Sequence, residues 1–260
     1  MMGHTARRAL RHGGGAALLT AALLMGTTAC RAPDQRRPVT LEEAQRLALA
    51  RLSVYESGPA SVRLLVPAAD TDVGVEAVVD YAAHRALGSY RALGRDGRVA
   101  WDAAGVSVAP GRGDVERPGA APRWSRRSYT RDPVDRALRL VLTLGSDRPE
   151  NAQLLAQSGP QWLGEKRLRG HTYTLFAGPR PVTRTADGVP ASGSYTSPVT
   201  YWIDERGALG RVEAVLTSGG DPVTVDFTGR LMPLPPGPWP SPAASTRHEA
   251  RGYAAPGGSR

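Results

Sequence analysis

The chain contains a single cysteine, Cys30, and this residue limits both how the protein is stabilised and where it works. One cysteine excludes an internal disulfide, so the fold must rest on its apolar core. Cys30 ends a segment that begins with Arg7, Arg8 and Arg11 and continues through an uncharged run from Gly13 to Ala29. Basic, then apolar, then small residues is the pattern of a secretory signal peptide, so we expect an exported protein.

The residues just before Cys30, Thr27-Thr28-Ala29, resemble the lipobox of bacterial lipoproteins. That resemblance implies that Cys30 receives a diacylglycerol and anchors the mature chain to the outer face of the cytoplasmic membrane. The usual lipobox has an aliphatic residue where this chain has Thr27. Ordinary cleavage, which would leave a free thiol, is the alternative, and the general secretory and twin-arginine routes both stay open. The apolar run is shorter than the roughly 20 residues of a membrane-spanning helix.

Composition limits what can be read from the charge. The predicted signal carries three arginines and no acidic residue, so its removal lowers the formal charge from the full chain's +9. Lys166 is the only lysine, and the bias to arginine, alanine, glycine and proline is typical of a GC-rich coding sequence, as in actinobacteria. This bias weakens any functional reading of the basic charge, and because we expect an exported protein we expect no nucleic-acid partner. The densest basic stretch is predicted to be a solvated loop or a contact for anionic headgroups or polymers. It comprises Arg112, Arg117, Arg123, Trp124, Arg126, Arg127 and Arg131.

The sequence divides into four predicted segments. A signal peptide covers 1–29, the lipidated cysteine and a polar tether cover 30–39, an α+β domain covers 40–232, and a proline-rich disordered tail covers 233–260. The tail assignment rests on composition, since proline is dense from Pro233 onward.

Helix starts are marked by capping residues. Thr40 and Glu43 form a capping-box pattern, and Asp132 followed by Pro133 forms a second helix start. A shorter helix is predicted over 150–157.

Between the helices, apolar residues alternate with polar ones and predict short strands joined by tight turns. One such turn is expected at Gly94-Arg95-Asp96-Gly97. Strands before and after the central helices indicate an α+β fold: a curved antiparallel sheet covered on one face by helices. The predicted strand regions are 62–66, 73–81, 86–93, 99–102, 105–108, 162–169, 172–177, 199–203, 209–216 and 223–227.

The order of elements, and the hairpin sequence from Tyr201-Trp202-Ile203-Asp204 to Phe227, resemble those of lipoproteins similar to the mycobacterial LppX and LprG proteins and of the lipoprotein carrier LolA. The resemblance implies an unclosed half-barrel, LolA-like, whose concave face and helices enclose an apolar cavity for acyl chains. It therefore implies a non-enzymatic protein that binds or carries a lipid or another apolar ligand. The alternative is a surface interaction or sensor module on the same scaffold, with a filled core and no ligand.

Aromatic residues on the predicted strands are the candidates for lining such a cavity, although aromatic residues are also favoured in strands as ordinary core. The candidates are Trp101, Trp162, Trp202, Tyr81 and Tyr90.

No pattern in the sequence asks for catalysis. His84 and His171 are the only histidines in the predicted domain, fewer ligands than a zinc site usually needs. There is no Gly-x-Ser-x-Gly elbow and no glycine-rich loop between a strand and a helix. We expect no catalytic residue, no metal and no cofactor.

Overall fold

The structure, a computed structural model, describes residues 36–68, 71–111, 122–179, 197–231 and 233–239. Cys30 lies outside the described residues, as do Arg112 and Arg117 of the arginine stretch. Within the described residues the elements are β1 (Arg37–Pro38), α1 (Leu41–Glu56), β2 (Ala60–Val66), β3 (Val73–Asp80), β4 (Arg85–Ala92), β5 (Arg95–Asp102), β6 (Gly105–Pro110), β7 (Ser125–Arg127), α2 (Pro133–Leu142), α3 (Ala152–Gln157), β8 (Gln161–Leu168), β9 (His171–Ala177), β10 (Val199–Ile203), β11 (Leu209–Ala214) and β12 (Val223–Leu231).

All of these strands belong to one antiparallel sheet in the order β1-β8-β9-β10-β11-β12-β2-β3-β4-β5-β6-β7. β1 and β7 are its two ends and do not pair with each other, so the sheet is a curved half-barrel and not a closed barrel. The predicted fold class, an antiparallel sheet covered on one face by helices, is confirmed. Partnered residues form one continuous row across the sheet: Trp162, Phe176, Tyr201, Val212, Val225, Leu64, Val75, Tyr90, Gly97 and Pro110.

The two faces of the sheet differ in what covers them. Partnered residues of an antiparallel sheet point to the same side, so the register assigns each residue to a face. On the inner face, α1 packs on β10 and β11, α2 packs on β2 and β3, and α3 packs on α1. The main apolar cluster lies between that face and the helices, and includes Val62, Leu64, Val75, Val79, Trp101, Ile203, Val212 and Val225. The opposite side is called the outer face below.

The helices begin where the sequence predicts. Thr40 caps α1 with its side chain, and the Glu43 carboxylate accepts a hydrogen bond from the Thr40 amide at 2.8 Å, which completes the capping box. Asp132 caps α2 by accepting from the Val134 amide at 2.8 Å, and a proline occupies the first turn. Both predicted helix starts are confirmed.

Each end of the sheet is fixed to a helix by an arginine clamp. Arg37 of β1 donates two hydrogen bonds to Glu43 in the first turn of α1, both at 2.7 Å. Arg127 of β7 likewise donates two to Asp135 in the first turn of α2, at 2.6 and 2.8 Å. Such bidentate pairs fix orientation as well as adding energy. Neither edge strand was predicted: β1 lies in the segment assigned to the tether, and both strands are too short to show periodicity.

The carboxylates of the two clamps titrate at unusually low pH. The hydrogen bonds from Arg37 lower the pKa of Glu43 to about 2, against burial, which acts in the opposite direction. Burial alone would raise the pKa of Asp135, but the hydrogen bonds from Arg127 and Thr130 outweigh it and lower that pKa to about 2. Both carboxylates are therefore ionised near neutral pH.

The hairpin between β4 and β5 is tighter than predicted. The expected turn over 94–97 is replaced by a two-residue connection in which Leu93 and Gly94 have φ of 50° and 71°. β5 already begins at Arg95, which pairs with Ala92. Two consecutive residues with positive φ match the right-handed twist of the flanking strands. The β4–β5 pairing therefore continues to Ala92 and Arg95, where a four-residue turn would have ended it earlier.

Candidate ligand-binding site

Two of the aromatic candidates fill the inner face beneath α2. Trp101 is completely buried, and its indole Nε1 donates a 2.9 Å hydrogen bond to the carbonyl of Leu138 in α2. Tyr81 is 2% exposed, and its ring lies so close to Gly145 that a Cβ there would come within 2.5 Å of it. Burial raises the pKa of the Tyr81 phenol well above its usual range. These two rings are packed core.

Two more candidates lie on the inner face in the same row of the sheet, but on different strands. Tyr90 is half-buried on β4, with its ring against Gly97 of β5. Trp162 is half-buried on β8, where the Arg37 guanidinium lies 4.5 Å from the centre of its ring. Both contact the edge of the main apolar cluster. Six strands of the sheet lie between β8 and β4, so these rings lie in different regions of the inner face.

Trp202 lies on the other side of the sheet. It pairs with Leu175 and Arg211, whereas its neighbour Tyr201 belongs to the inner row. The guanidinium of Arg211 and the ammonium of Lys166 lie 5.2 and 5.6 Å from the centre of its ring. The five aromatic candidates therefore do not surround one common space.

The inner face does contain an apolar slot, beneath the C-terminal half of α1. Its volume is about 350 Å³, within the range of ligand pockets. Val54, Leu209 and Phe227 supply its apolar walls, and the small side chain of Ala60 leaves the space open. Ser53 of α1 and Ser57, the residue that caps its C-terminus, add hydroxyl groups, and none of the lining side chains is charged. The slot can thus accept an apolar group but offers no ionic partner.

Local irregularity in β12 forms one wall of the slot. The pairing of β12 with β2 shifts between Phe227 and Leu231, and Gly229 in that interval has a φ of 71°. A bulge of this kind bends a strand and redirects its side chains. The strand predicted to end at Phe227 therefore continues, after the bulge, to Leu231.

Sequence reasoning did not identify the slot. Its lining comes from α1, β2, the β10–β11 turn and β12, which no local pattern connects. The one available signal was Gly229, since a glycine within a strand-like segment often marks a bulge.

Two arginines of the basic stretch, Arg126 and Arg127, are engaged within the protein. Arg126 pairs with Asp102 at 2.8 Å, and Arg127 forms the clamp to Asp135. Trp124 packs against Arg98, whose guanidinium lies 5.6 Å from the ring centre. These contacts tie β7 and the residues before it to β5, so in the part of the stretch that the structure describes, arginines act as internal partners.

Two further observations concern chemistry and membranes. Among the described residues, no three histidine, cysteine or acidic side chains lie together in a way that could hold a metal ion. Over the same residues, no helix has the length and apolar character needed to cross a bilayer.

Comparisons with known proteins give structural likeness at low sequence identity. No protein-family profile matches the chain, and no curated protein matches it in sequence. The crystal structure of LprF from Mycobacterium bovis is similar over 75% of this chain and 97% of that one, with 14% identity and a TM-score of 0.40. An uncharacterised conserved protein from Thermus thermophilus is similar over 70% of this chain and 82% of that one, with 11% identity and a TM-score of 0.34.

Proposed function

We propose that this protein is an exported, non-enzymatic lipoprotein that is anchored through Cys30 and binds or carries a lipid or other apolar ligand. The observation that carries the proposal is the apolar slot of about 350 Å³ between α1 and the inner face of the sheet. The slot is open to solvent, has apolar walls and carries no charged side chain, and its volume lies in the range of ligand pockets. An apolar ligand can therefore occupy it.

The chemistry of the slot selects an alkyl chain. Burying apolar surface contributes about 25 cal/mol per Å², or about 0.8 kcal/mol for each methylene. Val54, Leu209 and Phe227 provide that surface, while the Ser53 hydroxyl can hydrogen-bond an uncharged polar head; the Ser57 hydroxyl already donates to the Ser53 carbonyl at 2.7 Å. Because no lining side chain is charged, the bound portion of the ligand is itself uncharged.

The slot lies at the end of the sheet from which the chain enters β1. β1 runs antiparallel to β8, with Arg37 opposite Trp162 and Pro38 opposite Gln161. Arg36 therefore approaches β1 from the end of the sheet that carries the β8–β9 and β10–β11 turns. Ala208, in the β10–β11 turn, lines the slot, so the slot opens at that same end.

The anchor itself is tested by replacing Cys30 with alanine. Each buried lipid methylene contributes about 0.8 kcal/mol, and two acyl chains hold a protein at a membrane stably where one does not. We expect wild-type protein to fractionate with membranes and to incorporate labelled palmitate, and C30A to do neither. A C30A variant that stays in the membrane fraction would exclude the lipid anchor.

The slot is tested by filling it. Ala60→Phe places a ring in the space beside Val54 and Phe227, whereas Ala83→Phe adds the same ring on an exposed turn. We expect wild type and A83F to take up a fluorescent alkyl probe and to carry acyl lipid in native mass spectra. A60F should lose at least tenfold in probe affinity while keeping its thermal transition. Equal uptake by A60F and A83F would show that the slot is not the binding site.

The alternative function, a surface interaction or sensor module without a ligand, is favoured by the filled region beneath α2. There Trp101 is completely buried and hydrogen-bonded, and Val141 and Leu138 close the space above it. A clean apo mass together with no probe uptake by the wild type would select this alternative.

A further inference from the structure

The outer face carries a cleft of about 680 Å³ that the proposed function does not use. It lies over β2, β3, β4 and β5, and Pro235, from the proline-rich segment after β12, forms part of its wall. Its floor contains Val78 and Leu87, which are partnered across β3 and β4. Both are more than nine-tenths buried although they lie outside the main apolar cluster. The cleft therefore has an apolar floor on the side of the sheet away from the helices.

Arg98 lines this cleft as a half-buried cation without a carboxylate. Its contact within the described residues is the ring of Trp124, 5.6 Å away. Arg63 and Glu76 also line the cleft, where they pair with each other at 2.9 Å, and Arg211 on the same face pairs with Asp226 at 2.7 Å. The Arg98 guanidinium is therefore able to bind an anionic group that enters the cleft.

Ser61 adds a second unsatisfied group to the same cleft. It is partnered with Val78, so its side chain points to the outer face. Its hydroxyl is buried and makes no hydrogen bond among the described residues, whereas its backbone carbonyl accepts one from Thr228 at 3.1 Å. Buried hydroxyls normally have a partner, so this one can donate to a bound oxygen.

We infer that the outer-face cleft is a second binding site, for a small amphiphile with a carboxylate or phosphate head. Arg98 would bind the head through two N–H groups, and the Ser61 hydroxyl would donate to it. The apolar body would lie over Val78 and Leu87. Guanidinium binds both kinds of anion in this bidentate way. Ser61 lines both spaces, but Val78, Leu87 and Arg98 line only the cleft on the outer face, so binding there does not depend on ligand binding in the slot.

The test is calorimetric titration of the purified full chain with sodium decanoate, decyl phosphate, decanol and inorganic phosphate, each below any micelle-forming concentration. Arg98→Gln removes the charge, and Ser61→Ala removes the hydroxyl. Arg206→Gln, which removes an exposed arginine from the β10–β11 turn, is the matched control. Thermal transitions report whether R98Q disturbs packing on Trp124, and amide shifts in NMR spectra locate the bound probe.

We expect R98Q to weaken decanoate or decyl phosphate at least tenfold and S61A to weaken it severalfold, with R206Q unchanged. Preference for decanoate over decyl phosphate would assign a fatty-acid type of ligand, and the reverse preference a phosphate-headed one. Three results would overturn the site: decanol binding as tightly as decanoate, inorganic phosphate binding as tightly as decyl phosphate, or probe-induced shifts at Val54 and Leu209 instead of Val78, Leu87 and Arg98. R98Q that folds as wild type and binds decanoate equally well would also overturn it.

Discussion

The two halves of the inner layer are fixed in the same way but filled differently. At one end of the sheet Arg37 clamps α1 through Glu43, and at the other Arg127 clamps α2 through Asp135. Beneath α2 the space is taken by large buried rings, whereas beneath α1 an apolar slot of about 350 Å³ stays open. The clamps thus set where the helices sit, and the side chains of the sheet decide whether a space remains below them.

One row of the sheet shows how this difference arises. Ala60, Val79, Ala86 and Trp101 are partners across β2, β3, β4 and β5, and all point to the inner face. At one end of this row Trp101 reaches α2 and fills the layer. At the other end Ala60 offers only a methyl group, and the slot lies beside it. Along this row the side chain changes from the large indole of Trp101 to the methyl group of Ala60, and the inner layer changes from packed core to an open slot.

The largest expected effect on stability comes from truncating one large side chain in each half of the inner layer. Trp101→Ala removes a completely buried ring and its hydrogen bond to Leu138, and should cost about 3–5 kcal/mol of unfolding free energy. Phe227→Ala removes a half-buried wall of the slot and should cost about 1–2 kcal/mol, because its ring already borders open space. Urea unfolding of both variants measures the difference. Equal costs would mean that the two halves are packed alike.

The helices and most strands could be predicted because their signals are local. Thr40 with Glu43, and Asp132 with Pro133, specify helix starts within four residues, and alternation along β2, β3 and β9 specifies strands. β1 and β7 could not be predicted, since each owes its existence to a distant strand and to an arginine clamp. The described part of the predicted disordered tail shows a similar dependence: Arg85 lies 5.4 Å from the ring centre of Trp239.

The candidate site was harder to predict because it depends on register between distant strands. Alternation says which residues of one strand share a face, but not which face it is. Trp101 and Trp202 have similar sequence surroundings, yet pairing places the first on the inner face and the second on the outer face. The slot is made by small residues, and Ala60 or Ala208 carries no mark in the sequence that distinguishes it from any other alanine.

The next expected effect comes from enlarging a side chain in each half. The same change, alanine to leucine, is made at two positions of the row described above. Ala86→Leu adds volume to a completely buried position beside Trp101, and overpacking of this kind costs about 1–3 kcal/mol. Ala60→Leu extends into the slot, and filling a cavity commonly stabilises by about 0.5–2 kcal/mol. Opposite signs in urea unfolding would sharpen the contrast between filled and open halves. Destabilisation by both would indicate that the slot is not free to receive a side chain.

The smallest expected effect concerns the two arginine clamps, Arg37–Glu43 and Arg127–Asp135, which have the same bidentate geometry. Asp135 and Glu43 each have a pKa lowered to about 2 in the folded protein, against roughly 3.9 and 4.3 in an unfolded chain. Each clamp therefore contributes stability that is fully present above about pH 4 and is lost as the pH falls toward 2. Since each arginine is nearly half exposed, we expect about 1–2 kcal/mol per clamp.

Unfolding free energies measured from pH 5 to pH 2 on wild type, Asp135→Asn, Glu43→Gln and the double variant separate the two contributions. Each single variant should lose about half of the wild-type slope, and the double variant most of it, because the two pairs lie at opposite ends of the sheet and should act independently. A larger reduction of the pH slope of the unfolding free energy in D135N than in E43Q would mean that the Arg127–Asp135 clamp, on the filled half, is the stronger one. α1 would then be the more weakly held helix, which is the arrangement that a slot opening beneath α1 would use to admit a ligand.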